Sequence, residues 1–297
     1  MKAVVLTGAS SGIGLETARL LVRQGWHVLG VGRDERRCAA ARENLLADLP
    51  KGRVDFFIGD LMQQRQVRRV AEEIRTALAA SGEELAVLIH NAGCARGWYM
   101  TTEEGYEQVF ALNVLAGVLM TRELLPLLVQ SYGRVIFTGS ESHRGLPVCW
   151  DDVMLSRRYG PLRAYQQSKL CGLLFARELN RRYPSLHACA VDPGLVRTEI
   201  GFKDTGGLVS WVWKQRRRHA ISPEIPAKTF AWLCNQPETP SALYYCDLKE
   251  KPFSRQVTDE NARRLFALCE RLCGITFPEC ESDMKQNFRK EAVSCGQ

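Results

Sequence analysis

The sequence predicts an α/β fold in which a mostly parallel sheet is covered by helices on both faces. Over residues 1–192, short apolar runs alternate with longer amphipathic segments. The runs are nearly continuous in Val, Leu and Ile, which is typical of strands buried on both faces of a parallel sheet. Their alternation with helices indicates a doubly wound arrangement. Because no linker interrupts this pattern, we expect a single domain over 1–297, with a core at 1–192 and a substrate lid and C-terminal elements at 193–297.

Seven strands are expected, six in the core and one near the C-terminus. They are Ala3–Leu6, His27–Val31, Val54–Ile58, Ala86–His90, Arg134–Thr138, His187–Val191 and Ala242–Cys246. The amphipathic stretches predict the helices. These are Ile13–Gln24, Glu35–Asp48, Gln64–Ala80, a broad region from Thr102 to Gln130, Leu162–Tyr183, Pro223–Asn235 and Val257–Cys273.

Composition and charge exclude several classes of protein. The apolar run at the N-terminus stops at Gly8, too short for a signal peptide or a membrane span, and no stretch of about 18 apolar residues follows. The net charge of +7 does not indicate nucleic-acid binding, because basic residues are interleaved with acidic ones, as in Arg33–Arg37.

Eleven cysteines without a secretory signal predict reduced thiols and a cytoplasmic protein. The C-terminal set lacks paired C-x2-C arms and nearby histidines, so no metal site is predicted and ordinary thiols are favoured over zinc. That set is Cys269, Cys273, Cys280 and Cys295.

A glycine-rich turn, Thr7-Gly-Ala-Ser-Ser-Gly-Ile-Gly14, follows the first strand and opens the first helix. Gly8 permits the sharp turn, Gly12 lets a diphosphate approach the backbone, and Gly14 allows the helix to pack closely on the strand. The N-terminus of the helix presents free N–H groups and a positive dipole end to phosphate. A tight turn without a ligand is the alternative, but the strand before and the helix after favour a nucleotide site.

The spacing of this turn, G-x3-G-x-G, resembles the cofactor signature of the short-chain dehydrogenase/reductase family, which has a Rossmann-type fold. Asn91-Ala92-Gly93, Asp60-Leu61 and Pro193-Gly194 resemble further motifs of that family, and they occur in its order. The predicted cofactor-binding residues are Gly8, Ser10, Ser11, Gly12, Ile13, Gly14, Arg33, Asp60, Leu61, Asn91, Ala92, Gly93, Tyr165, Lys169, Pro193, Gly194, Val196 and Thr198.

The end of the second strand predicts NADP(H) rather than NAD(H). A carboxylate at that place accepts the ribose hydroxyls of NAD. Here Gly32 stands in its place and Arg33 follows, and a guanidinium can bind a phosphate through two hydrogen bonds. Asp34 falls one residue late and is expected to cap the next helix.

The resemblance assigns catalysis to Asn113, Ser140, Tyr165 and Lys169. Tyr165 and Lys169 share one helix face. Because an ammonium favours a nearby phenolate, we expect Lys169 to lower the pKa of Tyr165 below its usual value of about 10. The resemblance implies that Tyr165 exchanges the proton, Lys169 binds the nicotinamide ribose, and Asn113 holds a water. Ser140 would bind the substrate oxygen, with Ser142 as the alternative.

The runs Arg158–Leu170, Ser142–Arg144 and Asp192–Thr198 resemble the retinol dehydrogenase branch of the family. This implies a lipophilic aldehyde, ketone or alcohol as substrate, with retinal as one candidate. The segment 208–218 occupies the lid position. Its tryptophans and basic residues favour either peripheral contact with a membrane or a solvated basic turn.

The resemblance implies that the predicted long helices at 102–130 and 162–183 are the candidate face of a homodimer or tetramer. Two other functions stay open on the sequence alone. One is an NADP(H)-sensing regulatory protein without turnover, and the other is a pigment reductase.

Overall fold

The computed structural model describes residues 1–47, 52–196, 220–237 and 241–279, and within them it confirms the predicted α/β architecture. The strands form one sheet. They are β1 (Lys2–Thr7), β2 (His27–Gly32), β3 (Arg53–Ile58), β4 (Glu84–His90), β5 (Arg134–Thr138), β6 (His187–Val191), β7 (Tyr244–Cys246) and β8 (Lys249–Glu250).

The sheet has eight strands in the order β3-β2-β1-β4-β5-β6-β7-β8, so the prediction of seven was wrong by one. The first seven are parallel, as predicted, and β8 pairs antiparallel with β7. The extra strand arises because Asp247 and Leu248 adopt positive φ angles of 51° and 61°, which fold the chain back in a two-residue hairpin. The dipeptide Asp247-Leu248 lacks the glycine from which such a turn is usually predicted.

Helices cover both faces of this sheet. They are α1 (Gly12–Arg23), α2 (Glu35–Leu46), α3 (Gln64–Ser81), α4 (Gln108–Gln130), α5 (Pro161–Arg182), α6 (Glu224–Asn235) and α7 (Asp259–Cys273). Adjacent residues of β1 show the two layers. Val4 belongs to the apolar core that contains Leu21 of α1, and Val5 to the core that contains Leu174 of α5. Both valines are fully buried, as successive residues of a strand covered on both sides must be.

Helix α4 begins later than predicted and is irregular. Glu107 caps it, since its carboxylate accepts from the backbone N–H groups of Val109 at 2.9 Å and Phe110 at 2.7 Å. A π-helical turn at Ala111–Leu115 then interrupts the α-helical pattern. Such single turns frequently occur at functional sites.

Helix α4 is also long and apolar enough to cross a membrane, judged by length and composition alone. However, 67% of its apolar window is buried inside the protein, which is how a core helix behaves.

The strand order places the ligand site. The connections reverse direction between β1 and β4, and in open parallel sheets this switch point leaves a crevice beyond the carboxyl ends of the strands. The glycine turn after β1 and the Asn91–Gly93 segment after β4 both lie there.

Candidate active site

A cleft of about 370 Å³ opens at the carboxyl ends of β1 to β4. Most of the predicted cofactor residues line it. These are Gly8, Ser10, Ser11, Gly12, Ile13, Arg33, Asp60, Leu61, Asn91, Ala92 and Gly93. Thr198, the lid segment 208–218, and Cys280 and Cys295 lie outside the described residues. In the part of the chain that is described, no group of three or more His, Cys, Asp or Glu side chains could hold a metal ion.

The glycine turn is shaped by the conformations and close approaches of its glycines. Gly8 and Gly12 have φ angles of 69° and 55°, in the left-handed region that favours glycine. Gly14 packs so tightly that a Cβ at this position would lie 2.1 Å from the carbonyl oxygen of Gly8. The helix therefore starts directly against the turn, as the spacing predicted.

Thr7 and Asn91 fasten the glycine turn to β4. The Thr7 hydroxyl accepts from the backbone N–H groups of Asn91 and Ala92, both at 3.0 Å. The Asn91 amide donates in return to the carbonyl oxygens of Thr7 at 3.1 Å and Gly8 at 3.3 Å. These bonds hold the two walls of the cleft in a fixed relation.

These walls fit a dinucleotide. Ser11, the N-cap of α1, makes no hydrogen bond from its side chain to the first turn of the helix. The N–H groups of that turn therefore have no side-chain cap and can bind phosphate oxygens. The glycines leave the backbone open to such a group.

The other end of the cleft is basic. Arg33 and Arg37 are exposed and line the cleft. A Cβ at Gly32 would lie 2.4 Å from the Cys38 sulfur, so position 32 has no room for a side chain unless Cys38 moves. Asp34 caps α2, as predicted, by accepting from the backbone N–H of Arg37 at 2.9 Å.

The structure brings Ser140, Tyr165 and Lys169 together at the carboxyl end of β5. Helix α5 carries Tyr165 and Lys169, and the Lys169 ammonium lies 5.4 Å from the centroid of the Tyr165 ring. The Ser140 side chain lies close enough to the Tyr165 hydroxyl to lower the pKa of that hydroxyl. Lys169 also donates to the carbonyl oxygen of Thr138 at 2.8 Å, which fixes its position beside the strand end.

The pKa of Tyr165 moves in the direction opposite to our prediction. Burial raises it to about 12, and this effect outweighs the opposite influence of the Ser140 side chain, while the Asp192 carboxylate raises it further. Burial lowers the pKa of Lys169 to about 8. The prediction considered only the ammonium and omitted the loss of solvation. Tyr165 is consequently a protonated phenol at neutral pH, as a proton donor must be.

Asn113 lies in the π-helical turn of α4 and faces Gly93. Its amide oxygen accepts from the backbone N–H of Cys94 at 2.8 Å. Its NH₂ group donates to the carbonyl oxygen of Cys94 and to the Ser168 hydroxyl, both at 3.0 Å. A Cβ on Gly93 would lie 3.2 Å from the Asn113 oxygen and 3.9 Å from the Lys169 nitrogen, so all four predicted catalytic residues lie in one region.

Comparison with known proteins agrees with this arrangement. A model of the family described as short chain dehydrogenase matches residues 2–205. The chain is 33% identical over 295 residues to retinol dehydrogenase 13 of Homo sapiens. The match covers 93% of this chain and 86% of that protein.

A second relative is polyprenol dehydrogenase of Mus musculus, 33% identical over 290 residues that cover 92% of this chain and 84% of that protein. Among solved structures, a metagenomic short-chain oxidoreductase in complex with NADP matches with a TM-score of 0.60 at 25% identity. The match covers 82% of this chain and 96% of that one.

The chain belongs to the short-chain dehydrogenase/reductase family. Within it, the resemblance to the retinol dehydrogenase branch is confirmed by relatives of that name. The chain is therefore an oxidoreductase of the hydride-transfer type that acts on CH–OH groups.

Asp192 belongs to the candidate active site but was not predicted from the sequence. Asp192 is buried; it accepts from the backbone N–H of Gly194 at 2.8 Å and from the Tyr244 hydroxyl at 2.8 Å. Its carboxylate acts electrostatically on Tyr165 and Lys169. A buried acid at a strand end is a signal that could have indicated this role.

The predicted turn after β6 is present. Gly194 has a φ angle of 69°, in the left-handed region, and Val196 forms a parallel bridge with Ile221. Neither these two residues nor Pro193 is among those lining the cleft. Nine residues that do line it are not among the predicted cofactor residues, and they are Val31, Gly32, Asp34, Arg37, Gly59, Met62, Cys94, Arg96 and Leu112.

Proposed function

We propose that the protein is an NADP-dependent oxidoreductase that interconverts a lipophilic aldehyde or ketone and its alcohol. The observation that carries this proposal is the grouping of Tyr165, Ser140 and Lys169 near Gly93, which lines the cleft that the glycine turn opens. The cofactor would supply the hydride. The protein's own residues would then orient the substrate and move the proton.

In the reduction, Ser140 would donate a hydrogen bond to the substrate oxygen, where negative charge develops. The Tyr165 hydroxyl, beside Ser140, would give that oxygen a proton. Lys169, anchored on the Thr138 carbonyl, would hold the nicotinamide ribose and compensate the phenolate that results. Asn113 would connect Lys169 to solvent through a water.

The lipophilic substrate class is supported by apolar side chains beside the site. Leu155 and Ala164 belong to a small buried cluster with Cys94, next to Gly93. Trp98 and Leu162 are 50% and 63% exposed, on the segments that follow Gly93 and precede Tyr165. The names of the relatives, retinol and polyprenol dehydrogenases, point to lipophilic alcohols as well.

Preference for NADP is supported by Arg33 at the basic end of the cleft and by Gly32, where a side chain would meet the Cys38 sulfur. Replacing Arg33 with alanine is expected to weaken NADPH binding about tenfold to a hundredfold and to change NADH binding by less than about threefold, because one phosphate contact is lost. Fluorescence titration with both cofactors measures this.

Arg36→Ala is the matched control, because Arg36 is exposed in the first turn of α2, three residues after Arg33, but does not line the cleft. It should leave both affinities unchanged. Equal losses for NADPH and NADH in Arg33→Ala would mean that Arg33 stacks on the adenine instead of binding the phosphate. A wild-type protein that prefers NADH would contradict the proposed cofactor.

We also propose that the protein is cytoplasmic, that it touches a membrane surface through 208–218, and that it forms a homodimer. These three proposals rest on the sequence. The described residues contribute the exposed Trp98 and Leu162, which would meet a membrane on the side where a lipophilic substrate enters.

A further inference from the structure

The turn that carries Ser140 contains a completely buried histidine. Ser140 is the N-cap of the short 3₁₀ helix Glu141–Arg144, and His143 lies within that helix with 0% exposure. The His143 Nδ1 atom lies 2.7 Å from the carbonyl oxygen of Ser140. Its Nε2 atom lies 3.1 Å from the backbone nitrogen of Ser254, which donates to it.

These two partners determine the tautomer of His143. A carbonyl oxygen can only accept, so Nδ1 carries the hydrogen and donates it to Ser140. A backbone N–H can only donate, so Nε2 must be unprotonated to accept from Ser254. His143 is therefore a neutral imidazole with its proton on Nδ1.

His143 thereby connects the Ser140 turn to the segment 251–258, which leads into α7. Arg144, the next residue, donates to the carbonyl oxygen of Pro252. Ser254 is 8% exposed, and its hydroxyl accepts from the backbone N–H of Gln256 at 3.2 Å. Residues 251–258 are thus fastened to the turn at two adjacent points, and one of them depends on the state of His143.

The ring of His143 also contacts the other side of the site. It meets the ring of Tyr244 edge-on, with the centroids 4.7 Å apart. Tyr244 donates to Asp192, the carboxylate that acts on Tyr165 and Lys169. A shift of His143 would therefore disturb Ser140 directly and Asp192 through Tyr244.

We propose that His143 is a positioning residue that holds Ser140 in place for the reaction, and that it does so only as the neutral Nδ1–H tautomer. This inference rests on the proposed function. Protonation at Nε2 would set an N–H against the N–H of Ser254 and release the segment 251–258. The turn would lose the contact that orients it, although His143 touches no substrate atom.

Several groups around His143 influence its protonation. Burial lowers its pKa, and the Arg144 guanidinium lowers it further. The hydrogen bond to Ser140 and the carboxylates of Glu141 and Asp192 act in the opposite direction. Tyr244 stays a neutral phenol because burial raises its pKa far above neutrality. On the segment 251–258 the charged side chains are Lys251 and Arg255, and both are exposed.

Because the pKa of His143 in the folded protein is lowered, the neutral form predominates at neutral pH. Neutral His143 makes its full contribution to the free energy of unfolding above about pH 6.5, the ordinary pKa of histidine. That contribution is lost as the pH falls from about 6.5 through the lowered pKa of His143 in the folded protein. We therefore expect a reversible loss of kcat on the acid side of neutrality.

Two substitutions of His143 distinguish a positioning role of this residue from a packing role. His143→Phe keeps the ring and its contact with Tyr244 but removes both hydrogen bonds. It is expected to lower kcat about tenfold to a hundredfold while KM for NADPH changes less than about threefold. His143→Gln keeps an acceptor near the Nε2 position for the backbone N–H of Ser254 and should retain kcat within about threefold of the wild type. The glutamine cannot become charged, so the histidine-dependent acid loss of kcat should be absent.

His187→Asn is the matched control. His187 is a buried histidine hydrogen-bonded to the carbonyl oxygen of Ala242 at 3.2 Å, outside the site. It should lower Tm without changing kcat or the acid limb of the pH profile. Equal kcat in His143→Phe and His143→Gln, with a lower Tm in both, would reduce His143 to a packing role and overturn the proposal.

A readout without turnover keeps this inference distinct from the proposed function. Nitrogen NMR of the wild-type imidazole should show the Nδ1–H tautomer, and the Ser254 amide should exchange with solvent about tenfold faster or more in His143→Phe. If the wild type showed this but turned over no carbonyl, the proposed function would fail and the contact would stand. A wild-type Nε2–H tautomer, or unchanged exchange in His143→Phe, would refute the contact itself.

Discussion

Replacing Tyr165 with phenylalanine is expected to lower kcat about a hundredfold to ten-thousandfold, while NADPH affinity stays within about threefold. The substitution removes only the hydroxyl that donates the proton, and the ring stays in its half-buried place on α5. In free energy this is a rise of roughly 3 to 5 kcal/mol in the barrier. Steady-state kinetics with a reactive aldehyde and a cofactor titration measure the two quantities.

The control is Tyr183→Phe, on the same stretch of chain. Tyr183 is a buried tyrosine that follows α5, and its hydroxyl donates to the carbonyl oxygen of Pro278, away from the cleft. Losing that bond should lower Tm and leave kcat intact. If Tyr165→Phe turned over as fast as the wild type, the assignment of the proton donor would be wrong.

The second large effect is expected at Gly14, where alanine should weaken NADPH binding more than about a hundredfold. A Cβ at this position would lie 2.1 Å from the Gly8 carbonyl oxygen and 2.7 Å from the Asn91 amide nitrogen. No side-chain adjustment relieves a contact with backbone, so α1 must move away from the turn that cradles the phosphates. Isothermal titration with NADPH, beside a thermal melt, measures the loss.

Helix propensity alone predicts the opposite sign, because alanine in a helix is about 1 kcal/mol more favourable than glycine. Gly172→Ala on α5 is the matched control, since its Cβ would meet Phe137 at 3.8 Å, an ordinary contact. It should bind NADPH as the wild type does. If Gly14→Ala did the same, the close packing of α1 on the turn would not be needed for the cofactor.

The parallel sheet could be predicted from the sequence because strands buried on both faces leave continuous apolar runs. The bounds predicted for β5 and β6 match the structure to the residue. The glycine turn was equally visible, because only glycine suits its positive φ angles and close approaches. The eighth strand was not, because Asp247 and Leu248 carry no hairpin signature.

Properties that depend on tertiary contacts could not be predicted from the sequence. The π-helical turn that presents Asn113 has no residue pattern of its own. The pKa of Tyr165 depends on how deeply α5 is buried and on Asp192, which is 27 positions away in the chain. The contact between His143 and Ser254 joins residues 111 positions apart, so no local pattern announces it.

The most direct test of the proposed activity traces the transferred hydride with deuterium. The wild-type protein is incubated with NADPH deuterated at the transferable position of the nicotinamide and with a panel of lipophilic aldehydes and ketones that includes retinal. Mass spectrometry of the products should show an alcohol with one added deuterium, formed by the wild type and almost absent with Tyr165→Phe. NADPH that binds tightly while no carbonyl in the panel acquires deuterium would contradict the proposed activity and favour a protein that only senses the cofactor.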